Sequence, residues 1–203
     1  MIAAVILAAG ASSRMGQPKA FLRIGDLTFA ERVATSIRAA AIDDVMIAVS
    51  HVDHKILELC ELHSMSAVIN AATQTSVPLG SIQAAILEII NRPVDGLLVW
   101  PVDYPHVRSG TAAAVVSAFL RSEKAMVLPV HKGRRGHPVV FGRAVFDELL
   151  SADPEIGPRA VVRAGRERVL EVDVDDAAIL EDIDTPEAYR DLVRRHELGR
   201  LPI

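Results

Sequence analysis

Between Leu7 and Lys19 the chain reads Leu7-Ala8-Ala9-Gly10-Ala11-Ser12-Ser13-Arg14-Met15-Gly16-Gln17-Pro18-Lys19, directly after the apolar run Ile2 to Leu7. A buried strand that opens into a loop of small residues and ends on cations suits a polyphosphate. Small side chains let backbone N–H groups approach phosphate oxygens, and Arg14 and Lys19 supply the opposing charge. Two other phosphate loops are excluded by spacing. A Walker A loop counted from Gly10 needs Gly-Lys where Met15 and Gly16 stand, and Ser12 stands where a dinucleotide fingerprint needs its second glycine. The competing reading is an ordinary strand-to-helix turn, which Pro18 and the two glycines would suit. The clustering of Gly10, Ser12, Ser13, Arg14, Gly16 and Lys19 favours the cradle.

A nucleoside triphosphate held there calls for a divalent cation to offset the charge that builds on the phosphates. Magnesium takes one or two carboxylates and completes its shell with phosphate oxygens and water. In an open α/β sheet such a carboxylate belongs at the C-terminal end of a strand. Asp103 is so placed, in Pro101-Val102-Asp103-Tyr104-Pro105-His106-Val107 after the apolar run Leu97 to Trp100. By itself it could equally be a turn residue that caps the next helix. Asp182 and Asp184 share one face of the extended stretch Leu180-Glu181-Asp182-Ile183-Asp184 by their period of two. Thr185 or Asp184 can also cap a helix with Pro186 in its first turn, and capping does not exclude ligation.

The elements that must position these residues alternate along the chain. Thr28 and Glu31 form a capping box for a helix to about Ala40. Val45 to Val49 is a buried strand, 53–62 a helix, Ala67 to Ile69 a strand, and about Leu79 to Asn91 a helix that Pro93 halts. Leu97 to Trp100, Thr111 to Leu120 and Ala125 to Leu128 continue the strand–helix–strand pattern of a parallel, doubly wound sheet. Beyond Pro129 the pattern loosens. His131 to His137 reads as a polar, basic loop, Val139 to Phe141 as a strand, Ala144 to Leu150 as a helix. Val169 to Asp173 alternates like a half-exposed edge strand, and Pro186 to about Arg195 is helical.

Half of the 203 residues are hydrophobic, and few of these are aromatic, which suits a sheet sandwiched between helices. The formal net charge of −4 speaks against a nucleic-acid partner or an anionic membrane surface. The single cysteine, Cys60, excludes an internal disulfide and fits the cytoplasm; it falls on a helix as a buried, inert residue. The apolar start reads as a core strand rather than a signal peptide, and no run is long enough to span a membrane. His51 and His54 lack a third ligand for zinc.

Taken together, these motifs resemble the MobA-like NTP transferases, the family of molybdenum cofactor cytidylyltransferase and its guanylyl relative. The segment from Leu7 to Lys19 looks like the family's LAAGxSxRMGxPK signature. The resemblance implies that Leu7, Ala8, Ala9, Gly10, Ser12 and Ser13 wrap the triphosphate while Arg14 and Lys19 contact its oxygens. Ala9 matches the cytidylyl branch, since the guanylyl branch has glycine there. Around Asp103 the chain resembles the family's GDMPxV motif, although Pro101-Val102 and Tyr104 depart from it; the metal role is carried to Asp103. The stretch 180–187 resembles DIDTPED, which implies Asp184 as second metal ligand, with Asp182 as runner-up and acceptor contact. Ser76-Val77-Pro78-Leu79-Gly80-Ser81-Ile82 resembles the loop that meets base and ribose, implying Gly80 and Ser81; the alternative there is a helix cap by Ser76 or Ser81. Gly136-His137-Pro138-Val139-Val140-Phe141 resembles the acceptor segment, implying His137 and, among the cations Lys132, Arg134 and Arg135 just before it, Arg135. A solvated loop is the commoner fate of such a basic run.

The implied protein is one MobA-like domain over 1–203, with 1–130 binding nucleotide and 131–203 the acceptor. Its implied fold is a three-layer, mostly parallel, Rossmann-like (GT-A-like) α/β sheet with helices on both faces. The implied activity is magnesium-dependent transfer of the CMP part of CTP to the phosphate of a molybdopterin-type cofactor, with release of pyrophosphate and possible delivery to an apo-molybdoenzyme. GTP as donor, a sugar or alcohol phosphate as acceptor, and a non-catalytic cofactor carrier are the alternatives.

Overall fold

The computed structural model describes residues 1–10, 15–70, 78–153 and 157–201. Its first strand, β1 (Ile2–Leu7), sits near the middle of the main sheet because both of its faces are apolar. Ile2, Ala4 and Ile6 join one core cluster, whereas Ala3 and Val5 join the other. This period-two division of a continuously apolar strand produces three layers.

After β1 come a short hairpin, β2 (Arg23–Ile24) and β3 (Leu27–Thr28), and helix α1 (Phe29–Ala39). Thr28 caps α1 through Glu31 N, and Glu31 reaches back to Thr28 N, the expected capping box. Then follow β4 (Val45–Val49), α2 (His54–Leu62), β5 (Ser66–Ile69), α3 (Pro78–Ile89), β6 (Gly96–Pro101) and α4 (Ser109–Leu120). The last part holds β7 (Met126–His131), β8 (Arg134–Arg135), β9 (Val139–Gly142), α5 (Phe146–Ser151), α6 (Arg159–Ala164), β10 (Val169–Asp173) and α7 (Pro186–Glu197).

The sheet runs β10-β7-β9-β6-β1-β4-β5, with β8 paired to β7. β1 pairs in parallel with both β4 and β6, β4 with β5, and β7 with β10. β9 alone inserts antiparallel between β6 and β7. The chain leaves β1 toward β4 and β5, then returns to β6 on the other side. That reversal opens a crevice at the C-terminal ends of β1 and β6, where open α/β sheets bind ligands. The fold is therefore a mostly parallel, mixed, Rossmann-like sheet with helices on both faces.

Several local expectations change. His131 to His137 is not simply a loop. His131 ends β7, and β8 folds back on it so that Val130 faces Arg135. Lys132 and Gly133, both at positive φ, form the two-residue turn such a hairpin needs. The hairpin β2–β3 and helix α6 had no clear sequence signal, being too short for a period to show. The helix expected from Ala144 begins as a tighter turn over Arg143–Val145. Cys60 is buried on α2 as expected. No described helix is long and apolar enough to cross a membrane.

Asp176 ties the far end of the sheet to α4. Its buried carboxylate accepts from Arg108 N at 3.0 Å, Thr111 Oγ1 at 2.7 Å and Ala178 N at 3.2 Å. Removing it leaves enclosed donors without acceptors. Asp176→Ala is expected to lower the unfolding free energy by about 2–4 kcal/mol, seen as a lower urea midpoint at unchanged slope. A midpoint equal to that of the parent protein would show that these contacts do not hold α4.

Candidate active site

The end of β1 is tied to both neighbouring strands by backbone hydrogen bonds. Ala8 N donates to Ala48 O on β4, and Val102 N, just past β6, donates to Leu7 O. Among the described residues, a Cβ at Gly10 would meet nothing within 4 Å. Ser12, Ser13 and Arg14 lie outside the described residues. Gly16 has φ +69, a conformation for which glycine is suited.

Lys19 opens a tight turn, Lys19–Phe21, whose Ala20, followed by Leu22, is buried in the core. Anchored so, the Lys19 ammonium reaches Asp103 Oδ2 at 3.1 Å and bonds Asp184 Oδ1. Residues distant in sequence thus form one group of a cation and two carboxylates. The Asp103 and Asp184 segments also touch through the backbone, Ile183 N donating to Asp103 O at 2.9 Å.

Burial pushes the Lys19 ammonium down, but the hydrogen bond to Asp184 and the Asp103 charge outweigh it and hold its pKa above the ordinary value. Burial raises the Asp103 carboxyl, and Lys19 offsets this only in part. Asp103 Oδ1 is buried with no hydrogen-bond partner among the described residues. Among the described residues no group of three or more His, Cys, Asp or Glu could hold a metal. The site offers two carboxylates, one with an unsatisfied oxygen. That donor set fits a hard divalent cation that takes its remaining ligands from phosphate and water.

A clamp holds the two acidic segments. His106, buried in the loop after Asp103, meets Glu181 Oε2 at 3.0 Å. Arg195 of α7 grips the same carboxylate at 2.6 and 3.1 Å. The hydrogen bond from His106 and those from Arg195 hold the Glu181 carboxyl at about 2 despite its partial burial. Thr185, not Asp184, caps α7 through Ala188 N at 3.2 Å, which leaves the Asp184 carboxylate to Lys19. From the same helix Tyr189 Oη donates to Arg23 O at 2.9 Å, bracing the hairpin that follows Lys19. Asp182 lies in the same extended stretch, and its charge acts on Tyr104.

Two cavities are lined by residues next in sequence to the charged group, Tyr104 in one and Pro18 and Ala20 in the other. One of about 580 Å³ lies over β6, β9 and β7 and is lined by Leu7, Tyr104, Arg135 and His137 among others. The other, of about 370 Å³, lies at the ends of β1 and β4, with Ala8, Gly10, Pro18 and Ala20 on one side and Ser50, Asp53 and Ile56 on the other. Leu7 lines the first and Ala8 the second, so the end of β1 is the wall between them.

The His137 ring lies tilted against the Tyr104 ring, with centroids 5.0 Å apart, and its Nδ1 is buried with no partner among the described residues. Burial and the charge of Arg159 hold its pKa down at about 4. Burial and nearby carboxylates push Tyr104 up to about 12. Arg135 pairs with Glu171, Nε to Oε1 at 2.7 Å. Ser76 lies outside the described residues. Ser81 is the fourth residue of α3 rather than a cap, because the helix already starts at Pro78. Its hydroxyl is buried and accepts from Asn70 Nδ2 at 3.1 Å. A Cβ on Gly80 would come within 2.9 Å of Asn70 Oδ1, so the Asn70 amide packs tightly against the start of α3.

Sequence reasoning missed Asn70, the His106–Glu181–Arg195 clamp, and Arg159 with Arg163 in the larger cavity. The last pair carried a usable signal: cations four residues apart share one helix face. The clamp carried none, since its members lie far apart in sequence.

The family model described as the MobA-like NTP transferase domain matches residues 4–169. A homolog of Rv0371c from Mycobacterium sp. strain JC1 is 24% identical, with 98% of both chains covered and a TM-score of 0.81. Rv0371c from Mycobacterium tuberculosis H37Rv, solved as a complex with manganese, is 25% identical, with 95% of this chain and 98% of that chain covered and a TM-score of 0.76. Molybdopterin-guanine dinucleotide biosynthesis protein A from Archaeoglobus fulgidus is 17% identical, with 98% and 100% covered and a TM-score of 0.70. No curated protein matches the chain.

The clamp makes a pH prediction. The folded-state pKa of Glu181 is depressed, so its stabilisation is present above its ordinary value and fades as pH falls toward about 2. Glu181→Gln should melt below the parent protein at neutral pH, and the gap should close between about pH 5 and pH 2. A gap in melting temperature that does not change with pH would overturn this account.

Proposed function

The chain belongs to the MobA-like NTP transferase family, and from that premise we propose that it transfers the nucleoside monophosphate of CTP to the phosphate of a molybdopterin-type acceptor. The observation that carries the proposal is the meeting of Lys19, Asp103 and Asp184, whose chain neighbours Pro18 and Ala20 line one cavity and Tyr104 the other. In a transferase the donor lies on one side of the reacting group and the acceptor on the other. The triphosphate is assigned to the β1–β4 side, under the loop of small residues, and the acceptor to the larger cavity over β6 and β7.

An acceptor phosphate oxygen attacks the α-phosphorus of the triphosphate, the bond to the bridging oxygen breaks, and pyrophosphate leaves. The acceptor phosphate is already ionised, so no protein base is needed. Arg14 and Lys19 bind the triphosphate and the leaving pyrophosphate. Asp103 and Asp184 hold a divalent cation, for which we propose magnesium; when bound, it supplies charge neutralisation at the phosphates. The manganese complex of Rv0371c supports a divalent cation, and Asp103 Oδ1, without a partner among the described residues, supports its placement here. Rigid positioning of both substrates and fixed charge supply the rate. CTP is chosen over GTP on Ala9. A pure carrier has no use for two carboxylates gathered around a cation.

Pyrophosphate release from CTP, GTP, ATP and UTP, with magnesium and molybdenum-loaded molybdopterin, tests the reading. Release with CTP alone is expected, and Asp103→Ala and Lys19→Ala should each lower it by about a hundredfold or more. Release with GTP instead refutes the base assignment. Binding of a triphosphate with no release from any of the four refutes the acceptor or the enzyme reading.

A further inference from the structure

Glu181 is a carboxylate beside the assigned cation site whose oxygens are engaged elsewhere. Its Oε2 accepts from His106 Nε2 at 3.0 Å and from Arg195 Nη1 at 3.1 Å, and its Oε1 accepts from Arg195 Nη2 at 2.6 Å. Arg195 is in turn paired with Asp191, one turn back on α7, at 3.1 Å. What the Glu181 side chain does is therefore to join elements. His106 is buried and stands three residues after Asp103, and Glu181 stands three residues before Asp184.

The places of these joints decide their effect. Ile183 N on Asp103 O, at 2.9 Å, ties the two acidic segments at one point, and segments joined at one point pivot about it. The bond between His106 and Glu181 ties them at a second point, and the pivot is lost. Arg195 then joins Glu181 to a residue fourteen positions further on, so Asp184 lies within a stretch closed at both ends. Burial anchors the segments as well, through Val102 and Val107 on one and Ile183 on the other. The backbones that carry Asp103 and Asp184 thus have little freedom to part.

That rigidity bears on which cation the pair accepts. Magnesium binds oxygen at about 2.0–2.1 Å and demands near-ideal octahedral geometry, whereas calcium takes about 2.3–2.6 Å and tolerates irregular shells. Carboxylates whose backbones cannot part favour the smaller ion. We infer that Glu181, held by His106 and Arg195, is a positioning residue that sets the preference of the site for magnesium over calcium. This rests on the reading of Asp103 and Asp184 as the ligands of the cation. Outer groups that orient ligands in this way commonly govern metal affinity without touching the metal.

Binding of Mn2+ to the whole protein, followed by the electron paramagnetic resonance of the free ion, with Mg2+ and Ca2+ as competitors, tests the inference without any turnover. The parent protein should hold Mg2+ more tightly than Ca2+. Glu181→Ala and His106→Leu should each weaken Mg2+ about tenfold and leave Ca2+ nearly unchanged, so that the preference narrows by the same factor. His106→Gln, which returns an N–H donor near the place of Nε2, should restore most of it. Asp44→Ala breaks the ion pair with Arg92 at the opposite end of the sheet and should keep the parent's preference, whatever its melting temperature. If Glu181→Ala does not fold, His106→Leu decides, since it keeps the pair of Arg195 and Glu181. A parent protein without preference, clamp variants in which both cations weaken together, or clamp variants that keep the parent's preference overturns the inference. The cation site itself still stands in those cases if Asp103→Asn abolishes Mn2+ binding. Mn2+ that does not bind the parent protein, or that binds Asp103→Asn equally well, sinks the cation site and the inference with it.

Discussion

Two carboxylates from distant parts of the chain share one partly buried place, and the Lys19 ammonium between them makes that arrangement tenable. Without a cation, Asp103 and Asp184 would repel in surroundings that screen poorly. Lys19 offsets that repulsion, so the group is held together by its own electrostatics. Much of the surrounding structure serves to keep three short segments within reach of one another.

Each segment is fixed by a different physical device. The Lys19 turn is pinned by burial of Ala20 and Leu22, and the hairpin after it is braced by Tyr189 from α7. The Asp103 turn is locked by the indole N–H of Trp100 on Tyr104 O at 3.1 Å, and Trp100 itself is fully buried. The Asp184 stretch is stitched to Asp103 by a backbone bond and clamped through Glu181. Helix α7 takes part in two of these devices. Its polar composition, with Leu192 its sole buried residue, suits an element that works mainly through hydrogen bonds and ion pairs.

The dense apolar strands and the capping box at Thr28 were legible in the sequence because they rest on contacts within a few residues. The loop after β1 was legible as a candidate for phosphate binding because few other uses demand that run of small residues and cations; residues 11–14 of it lie outside the described ones. Asp103 was legible as a candidate only, since a turn aspartate and a metal aspartate look alike until something is seen to approach them. The choice between Asp182 and Asp184 was less legible still: both suit the same extended stretch, and the capping of α7 by Thr185 is what frees Asp184 for Lys19. The antiparallel insertion of β9 was hidden, because strand direction depends on the path of the connecting chain rather than on the strand's residues.

What the sequence by itself determined were the alternation of strands and helices, the place of the loop at the end of β1, and the kinds of group available for phosphate chemistry. These follow from backbone sterics, side-chain period and local hydrogen bonding, all short-ranged. The tertiary structure alone decided which carboxylates meet Lys19 and that Ser81 is enclosed beneath Asn70. It also decided that α6 brings Arg159 and Arg163 to a cavity with no acidic side chain among its described lining residues. Those outcomes depend on where β6, β9 and α7 come to rest in space, and long-range packing sets that.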